Sequence, residues 1–473
     1  MVEDSASAEL AVPVIDEKKT LRKMDLHIIP ILSLLYLLCF LDRSNIGNAK
    51  IEGLLDDLSL SSSQYNLCLT VFFLTYAAFE LPSNLVLRRL KPSIWLPCLM
   101  VSVGIVMTCM GLVQNYHGLL VSRLFLGVAE AGLYPGVAFY ITMWYRRGEA
   151  QLRQAMFFSA ASIAGAFSGL LAFAIAKMDG VGGLEGWRWI FILEGILTVL
   201  VSTSAFWLIA DYPETAKFLT EQERAWVLDR LRSQYSGNVE ATEKFKWKYV
   251  GHALKDFQVY LALLAWYGVA CPLYGVAFFL PTIIRDLGYT SSQAQLLTIP
   301  IYITAAAVAV VSAYFSDKTK RRSPFLMLHL CCVIVGFVIV ISAAGRGVPG
   351  VVYFGIFLAV SGIYPAIPSN VTWLSNNLAG DYKRAAGMAL HIGIGNFAGA
   401  MSSNFYRAQD GPTFYLGHGL NLGLAVLGLV AAVVLRQVYV RINNKRDSVD
   451  PSGIHPDELA KMGDKAPTFR YML

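Results

Sequence analysis

Three ionisable residues occupy positions where an apolar chain has no ordinary use for charge. Asp42 and Arg43 stand side by side in "CFLDRSNIGNA", directly after the apolar run Ile28–Leu41. Glu130 stands in "SRLFLGVAEAGLYPG", between Gly127 and Gly132. An ionisable group at the centre of a membrane helix costs about 2.5–3.5 kcal/mol on insertion scales, so such groups usually face a cavity and mark an ion or substrate path. Arg43 has a permanent positive charge and a planar donor fork that fits a carboxylate. Asp42 and Glu130, as buried carboxyl groups, can load and release protons near physiological pH.

Helical geometry separates these roles. Adjacent residues on a helix point about 100° apart, so Asp42 and Arg43 cannot satisfy one another and each needs its own partner. Asp42 shares a face with Asn45 and Ile46, and Arg43 with Cys39 and Gly47, where the missing side chain admits a close neighbour or ligand. Arg123, Gly127, Glu130 and Tyr134 line one face of one helix, and Pro135 loosens the backbone just beyond. Counted from Met24, Asp42 lies at a rise of about 27 Å. No breaker appears before Gly53, so the helix is expected to continue and the pair to be buried rather than at an interface.

The elements that must position these residues are membrane helices. Of the 473 residues, 55% are hydrophobic and 15% charged, and the mean hydropathy is +0.51. A soluble protein is about 25% charged. With about 20 apolar residues needed per crossing, twelve spans are expected: 24–49, 65–87, 94–114, 117–144, 154–177 and 188–210, then 257–284, 293–316, 324–344, 350–378, 385–406 and 413–440. The expected fold is therefore all-α, with a six-helix half at 24–210 and another at 257–440. A polar tail at 1–23, a linker at 211–256 and a tail at 441–473 complete the chain. Residues 1–23 lack the short apolar core of a cleavable signal.

Basic residues cluster in alternate loops. Arg88, Arg89 and Lys91 follow span two, and Arg146, Arg147 and Arg153 follow span four. Lys318, Lys320, Arg321 and Arg322 follow span eight, and Lys383 and Arg384 follow span ten. The other loops carry Asp56, Asp57, Asp179, Glu185, Asp286 and Asp410. This asymmetry predicts that both termini are cytoplasmic. It also argues against a nucleic-acid surface, because the basic clusters recur with the spans. In the linker, "TEQERAWVLDRLRSQ" reads as an amphipathic helix capped by Thr220 with Glu223, whose Trp226, Leu228 and Leu231 would lie along the membrane surface. The tail from Asn443 is expected to lack a core of its own. The seven cysteines all fall within spans without a CxxC pair and read as small buried apolar residues.

An acid followed by bases recurs after span two ("ELPSNLVLRRLKPS") and after span eight ("SDKTKRRSP"), at equivalent places in the two halves. Such internal repeats are common in transporters. Glu80, Asp317 and Arg321 in these segments, with Arg123, are read as structural or gating residues. Span seven sets Tyr267, Cys271, Tyr274 and Phe278 at helical spacing among Gly268, Pro272 and Gly275. Trp373 with Asn376 and Asn377 in span ten, and His391 with Asn396 in span eleven, are further candidates for a cavity wall. They could equally be helix–helix hydrogen-bonding groups.

Several stretches resemble the major facilitator superfamily, and within it the anion:cation symporter branch. These are "YLLCFLDRSNIGNA", "FFLTYAAFELPSN" and "RLFLGVAEAGLYPG". "WRWIFILEG", "DYPETAKFLTEQER" and "MALHIGIGNFAGA" extend the likeness to fungal allantoate and nicotinate permeases over nearly the whole chain. The resemblance implies two six-helix halves rocking about a central site, no cofactor, a proton gradient as energy source, and a small organic anion as substrate. It implies that Arg43 binds the carboxylate, that Asp42 and Glu130 carry protons, and that Tyr76 touches substrate. Asn45, Tyr134, Tyr274, Trp373, Asn377, His391 and Asn396 are the further substrate-contact candidates. Two departures stand out. A polar Gln found in the fifth span of some relatives falls near Ser162 and Ile163, and the loop after span two lacks Gly-x-x-x-Asp-Arg.

The reading is a proton-coupled importer of a nicotinate-like carboxylate, acting as a monomer in a fungal plasma membrane. An exporter of an acidic metabolite on the same fold and a non-transporting nutrient sensor remain open alternatives. An enzyme is excluded, because the seven histidines are scattered and no metal-ligand spacing or nucleophile motif appears.

Overall fold

The computed structural model describes residues 15–87, 90–236, 254–379, 381–450 and 462–473, together with 251 and 454. Arg88, Arg89, Gly237, His252 and His455 lie outside them. Helices account for nearly all of the described structure, as a bilayer demands: with no water to satisfy it, the backbone must bond within its own segment.

The N-terminal half comprises α1 (Glu17–Ala49), α2 (Ser62–Leu87), α3 (Pro92–Met110), α4 (Tyr116–Glu130), α5 (Leu133–Trp144), α6 (Arg147–Ala176) and α7 (Gly186–Leu208). The linker holds α8 (Glu221–Ser236). The C-terminal half comprises α9 (Phe257–Asp286), α10 (Ser291–Thr319), α11 (Ser323–Ala343), α12 (Pro349–Asn377), α13 (Asp381–Gly395), α14 (Phe397–Ser402) and α15 (Tyr415–Asp447).

Among the described residues, ten helical stretches are long and apolar enough to cross a membrane. The expected second and eleventh spans fall on α2 and on the broken pair α13–α14, which are helical but not among the ten. Asn396 interrupts the second of these, and neither α13 nor α14 alone reaches the length of a crossing. α1 starts where Asp16 accepts a hydrogen bond from the Lys19 amide at 3.1 Å. It runs past Asp42 into a π-helical turn, Lys50–Leu54, which ends the regular helix at Gly53 (φ +98°).

Within the first half α1 packs on α6 and α7, α2 on α4, and α3 on α7. Gly104 and Gly195 let α3 and α7 approach closely: a Cβ on Gly104 would lie 2.7 Å from the Gly195 carbonyl oxygen. In the second half α9 packs on α12 and α15, and α11 on the same two helices. The halves meet where α1 faces α9, α2 faces α14 and α6 faces α10. Polar contacts tie them at the end where α1 finishes. There Ser291 Oγ donates to the Ile51 carbonyl at 3.0 Å and Gln295 Nε2 to Glu52 Oε1 at 2.9 Å. Asn404 Nδ2 donates to Thr70 Oγ1 at 2.9 Å.

The segments at the opposite end differ from expectation. α8 has the capping box, with the Thr220 amide donating to Glu223 at 2.9 Å and the Glu223 amide to Thr220 Oγ1 at 3.3 Å. Its charged side, rather than an apolar face alone, fixes it to the first half. Lys23 pairs with Glu223 at 2.7 Å, and Arg230 pairs with Glu149 and Glu17. α15 continues to Asp447, beyond the expected end of span twelve. The last residues then fold back on the second half. Tyr471 stacks on Tyr439 with centroids 4.5 Å apart, and Asp464 pairs with Lys383 at 2.8 Å. All seven cysteines are free, but only Cys39, Cys68 and Cys271 are buried; Cys109 and Cys331 are exposed, which an apolar thiol facing lipid can be.

Candidate functional site

Asp42 and Arg43 lie deep in the bundle, 0% and 7% exposed. The 100° offset sends them to different helices. Arg43 reaches α4, where Nε donates to Glu130 Oε1 at 2.8 Å and NH2 donates to the same oxygen. Cys39, one turn earlier on α1, also donates to that oxygen at 2.9 Å. Three donors thus converge on one carboxylate oxygen, while the buried Oε2 has no partner. The Arg43 guanidinium stands 5.2 Å from the Phe72 ring centroid and 5.3 Å from that of Tyr76. These rings form an aromatic floor that favours a cation.

Glu130 is the last residue of α4. Pro135 explains the break: it has no N–H, and its ring crowds the carbonyl four residues earlier, at Ala131. The regular helix is interrupted at Ala131 and Gly132, which keep right-handed backbone angles, and resumes at Leu133, which puts Pro135 in the first turn of α5, where it is tolerated. A broken helix carrying a charged residue at its break is a recurrent way to build a membrane site.

Asp42 faces α7. Thr198 Oγ1 donates to Asp42 Oδ2 at 2.9 Å, and Oδ1 has no partner. Asn45, three residues on, donates through Nδ2 to Glu194 Oε2. Ser168 of α6 donates to Asn45 Oδ1 at 3.1 Å and accepts from Asn48 Nδ2 at 2.6 Å. Asn45 is therefore engaged by protein on both sides. Glu194, Thr198 and Ser168 are absent from the sequence-based candidates. Glu194 was nevertheless visible as a solitary acid in a long apolar helix, the signal that marked Glu130. Ile163, beside the position of the relatives' Gln, is 41% exposed on the outside of the bundle; α6 contributes polarity to this network through Ser168.

The second half closes over this site. Gly47 lies against α9 so tightly that a Cβ there would be 2.6 Å from the Phe278 carbonyl oxygen. The close neighbour anticipated beside Arg43 is thus a helix. Tyr274 lies beside Arg43, its ring edge-on to Phe73 at 4.7 Å. Tyr134 joins Tyr36 and Phe157 in a separate aromatic cluster, with centroids 5.9 and 6.2 Å away. His391 is fully buried with both ring nitrogens unbonded, edge-on to Trp266 at 5.2 Å. Asn396, at the break between α13 and α14, donates to Glu80 Oε2 at 2.9 Å across the halves.

The other candidates are engaged elsewhere in the molecule. Trp373 Nε1 and Asn377 Nδ2 both donate to the Met472 carbonyl, at 2.9 and 3.0 Å, so the folded-back tail and not a cavity occupies them. Asp317 pairs with Arg322 at 2.5 Å, and Arg321 is exposed. Arg123 is fully buried with all three guanidinium nitrogens unbonded and lies 4.8 Å from the Phe72 ring.

A helical membrane body in two halves, with charge buried at their seam, defines a transport protein rather than an enzyme. Residues 32–403 match the model of the Major Facilitator Superfamily, and the chain belongs to that family of secondary transporters. It is 39% identical to the MFS-type transporter cnsO of Penicillium expansum, over 96% of this chain and 90% of that protein. It is 35% identical to the high-affinity nicotinic acid transporter of Saccharomyces cerevisiae, over 96% and 85%. Its fold is similar to the partially occluded inward-open structure of the xylose transporter XylE from E. coli. The TM-score is 0.65 at 14% identity, over 87% of this chain and 98% of that one.

Proposed function

We propose that the protein imports a small organic anion, with a nicotinate-like carboxylate as first candidate, together with protons and by alternating access. It would do so as a monomer, without a cofactor, in a fungal plasma membrane. Twelve spanning helices, with α2 and α13–α14 completing the ten, and cytoplasmic termini belong to the same reading. The observation that carries it is the buried Arg43–Glu130 pair on its aromatic floor at the seam of the halves. Support for the substrate class comes from the yeast relative's description as a nicotinic acid transporter.

The geometry suggests an exchange of partners. A proton entering the cavity binds the unoccupied Oε2 of Glu130. Neutral Glu130 no longer balances the guanidinium, and Arg43 turns its fork to the substrate carboxylate. Tyr76 and Tyr274 present ring faces to the substrate's body. The halves rock, the proton leaves Glu130, and the restored ion pair displaces the anion. The proton carried on Glu130 balances the charge of one monovalent anion.

Uptake of radiolabelled nicotinate into proteoliposomes tests this. An inward pH gradient should drive accumulation, a protonophore should abolish the dependence on the gradient, and Glu130→Gln should weaken it. Accumulation indifferent to both would refute the coupling, and full transport by Arg43→Ala would refute the binding role.

A further inference from the structure

The Arg43–Glu130 pair accounts for one buried acid. Two others, Asp42 and Glu194, are 0% and 2% exposed, and among the described residues neither has a cation within ion-pair distance. They sit diagonally across the contact of α1 and α7, each facing a neutral donor of the other helix. α1 supplies Asp42 and Asn45, three residues apart; α7 supplies Glu194 and Thr198, four apart. Thr198 donates to Asp42 at 2.9 Å and Asn45 donates to Glu194. Each carboxyl therefore accepts one bond from a neutral donor. Asp42 Oδ1 and Glu194 Oε1 are both buried without a partner.

The surroundings offer no compensating charge. Among the described residues, α6 presents Ser168 to Asn45 and Asn48, α3 brings Thr108 against Gly195 next to Glu194, and α4 adds Glu130, another acid. Arg43 is turned away by the helical offset and engaged by Glu130. Two ionised carboxylates side by side in a medium of low dielectric repel strongly, and sharing a proton removes the repulsion.

We propose that Asp42 and Glu194 form a carboxyl pair that binds one shared proton, making Glu194 a proton-coupling residue and the pair a second proton site separate from Glu130. One carboxylate takes H⁺ from water on the loading side to become an acid. Its O–H then donates to the free oxygen of the other, and the same proton returns to water on the releasing side. No electrons move. This inference rests on the proton-coupled reading above.

Two measurements on the full-length protein test it. In proteoliposomes carrying an entrapped pH dye, Glu194→Gln should retain nicotinate counterflow, lose one proton per anion transported, and accumulate less under an inward pH gradient. Infrared difference spectra between high and low pH need no substrate. The carbonyl stretch of a protonated carboxyl should vanish in both Glu194→Gln and Asp42→Asn, and shift in Glu194→Asp. An unchanged proton count in Glu194→Gln, an unchanged infrared band, or a sodium gradient replacing the pH gradient would overturn the pair. If the wild type moves no nicotinate at all, the functional reading above fails, and the infrared arm still decides the pair.

Discussion

The two halves are built from the same kind of helix but carry charge very differently. Asp42, Arg43, Glu80, Arg123, Glu130 and Glu194 are all buried in the first half. In the second, the buried charged residues among those described are Lys383 and Asp464, both at the end of the bundle where the tail docks. Its interior polarity comes from neutral groups such as Asn370, Asn421 and Ser402. The ion pairs of the buried charges close within one half: Arg43 with Glu130, and Lys383 with Asp256 and Asp464. The hydrogen bonds across the seam among the described residues use an amide or hydroxyl on at least one side. A carrier whose halves must separate gains from this division. An ion pair broken in a low-dielectric interior costs about 3–5 kcal/mol, whereas a typical hydrogen bond contributes about 1 kcal/mol net. Strong interactions can ride inside one body while weaker ones are exchanged at each turn.

The largest effect should come from stripping charge out of the first half. Arg43→Ala should abolish transport and lower stability by about 3–5 kcal/mol, because Glu130 is left buried and unpaired. Adding Glu130→Gln should restore thermal stability in detergent but not uptake. A stable, active single variant would break the comparison. Arg43→Lys should not rescue, since an ammonium lacks the fork.

Next comes the seam. Gly47→Val would push a side chain into the Phe278 backbone and hold the halves apart. About 1.4 kcal/mol added to the closing step corresponds to a tenfold slower uptake, and we expect at least that, with each half still folded by limited proteolysis. A smaller loss follows from removing one tie. Asn396→Ala should cost about 1.5–3 kcal/mol in the state where Asn396 meets Glu80, read as a shift in the pH dependence and rate of uptake. The smallest effect is expected at α8. Thr220→Ala should weaken that helix by about 1 kcal/mol, measured by hydrogen exchange, with transport unchanged.

The chain's local pattern made part of this site legible. Offset, spacing and cost of burial were enough to separate Asp42 from Arg43 and to group Arg123, Gly127 and Glu130 on one face. Gly53 as the end of the first helix was equally readable, because a positive φ is a local property. Glu194 was legible by the same burial argument. What could not be read were contacts between distant segments. Nothing near Trp373 or Asn377 signals that Met472 will occupy their donors, and nothing in "SDKTKRRSP" tells Arg322 from Arg321 as the partner of Asp317. Those choices depend on how helices are placed in three dimensions.

The two segments folded against the end of the bundle have a practical consequence. α8 is bolted by Lys23, Glu149 and Arg230 to one body. The residues around Tyr471 are bolted by Tyr439, Asn443 and Asn377 to the other. Each is a pointer fixed to its own half. A pair of probes, one on each pointer and neither inside the bilayer, would act as a goniometer. The distance between them would report the angle of the carrier at every step of its cycle while leaving the site untouched.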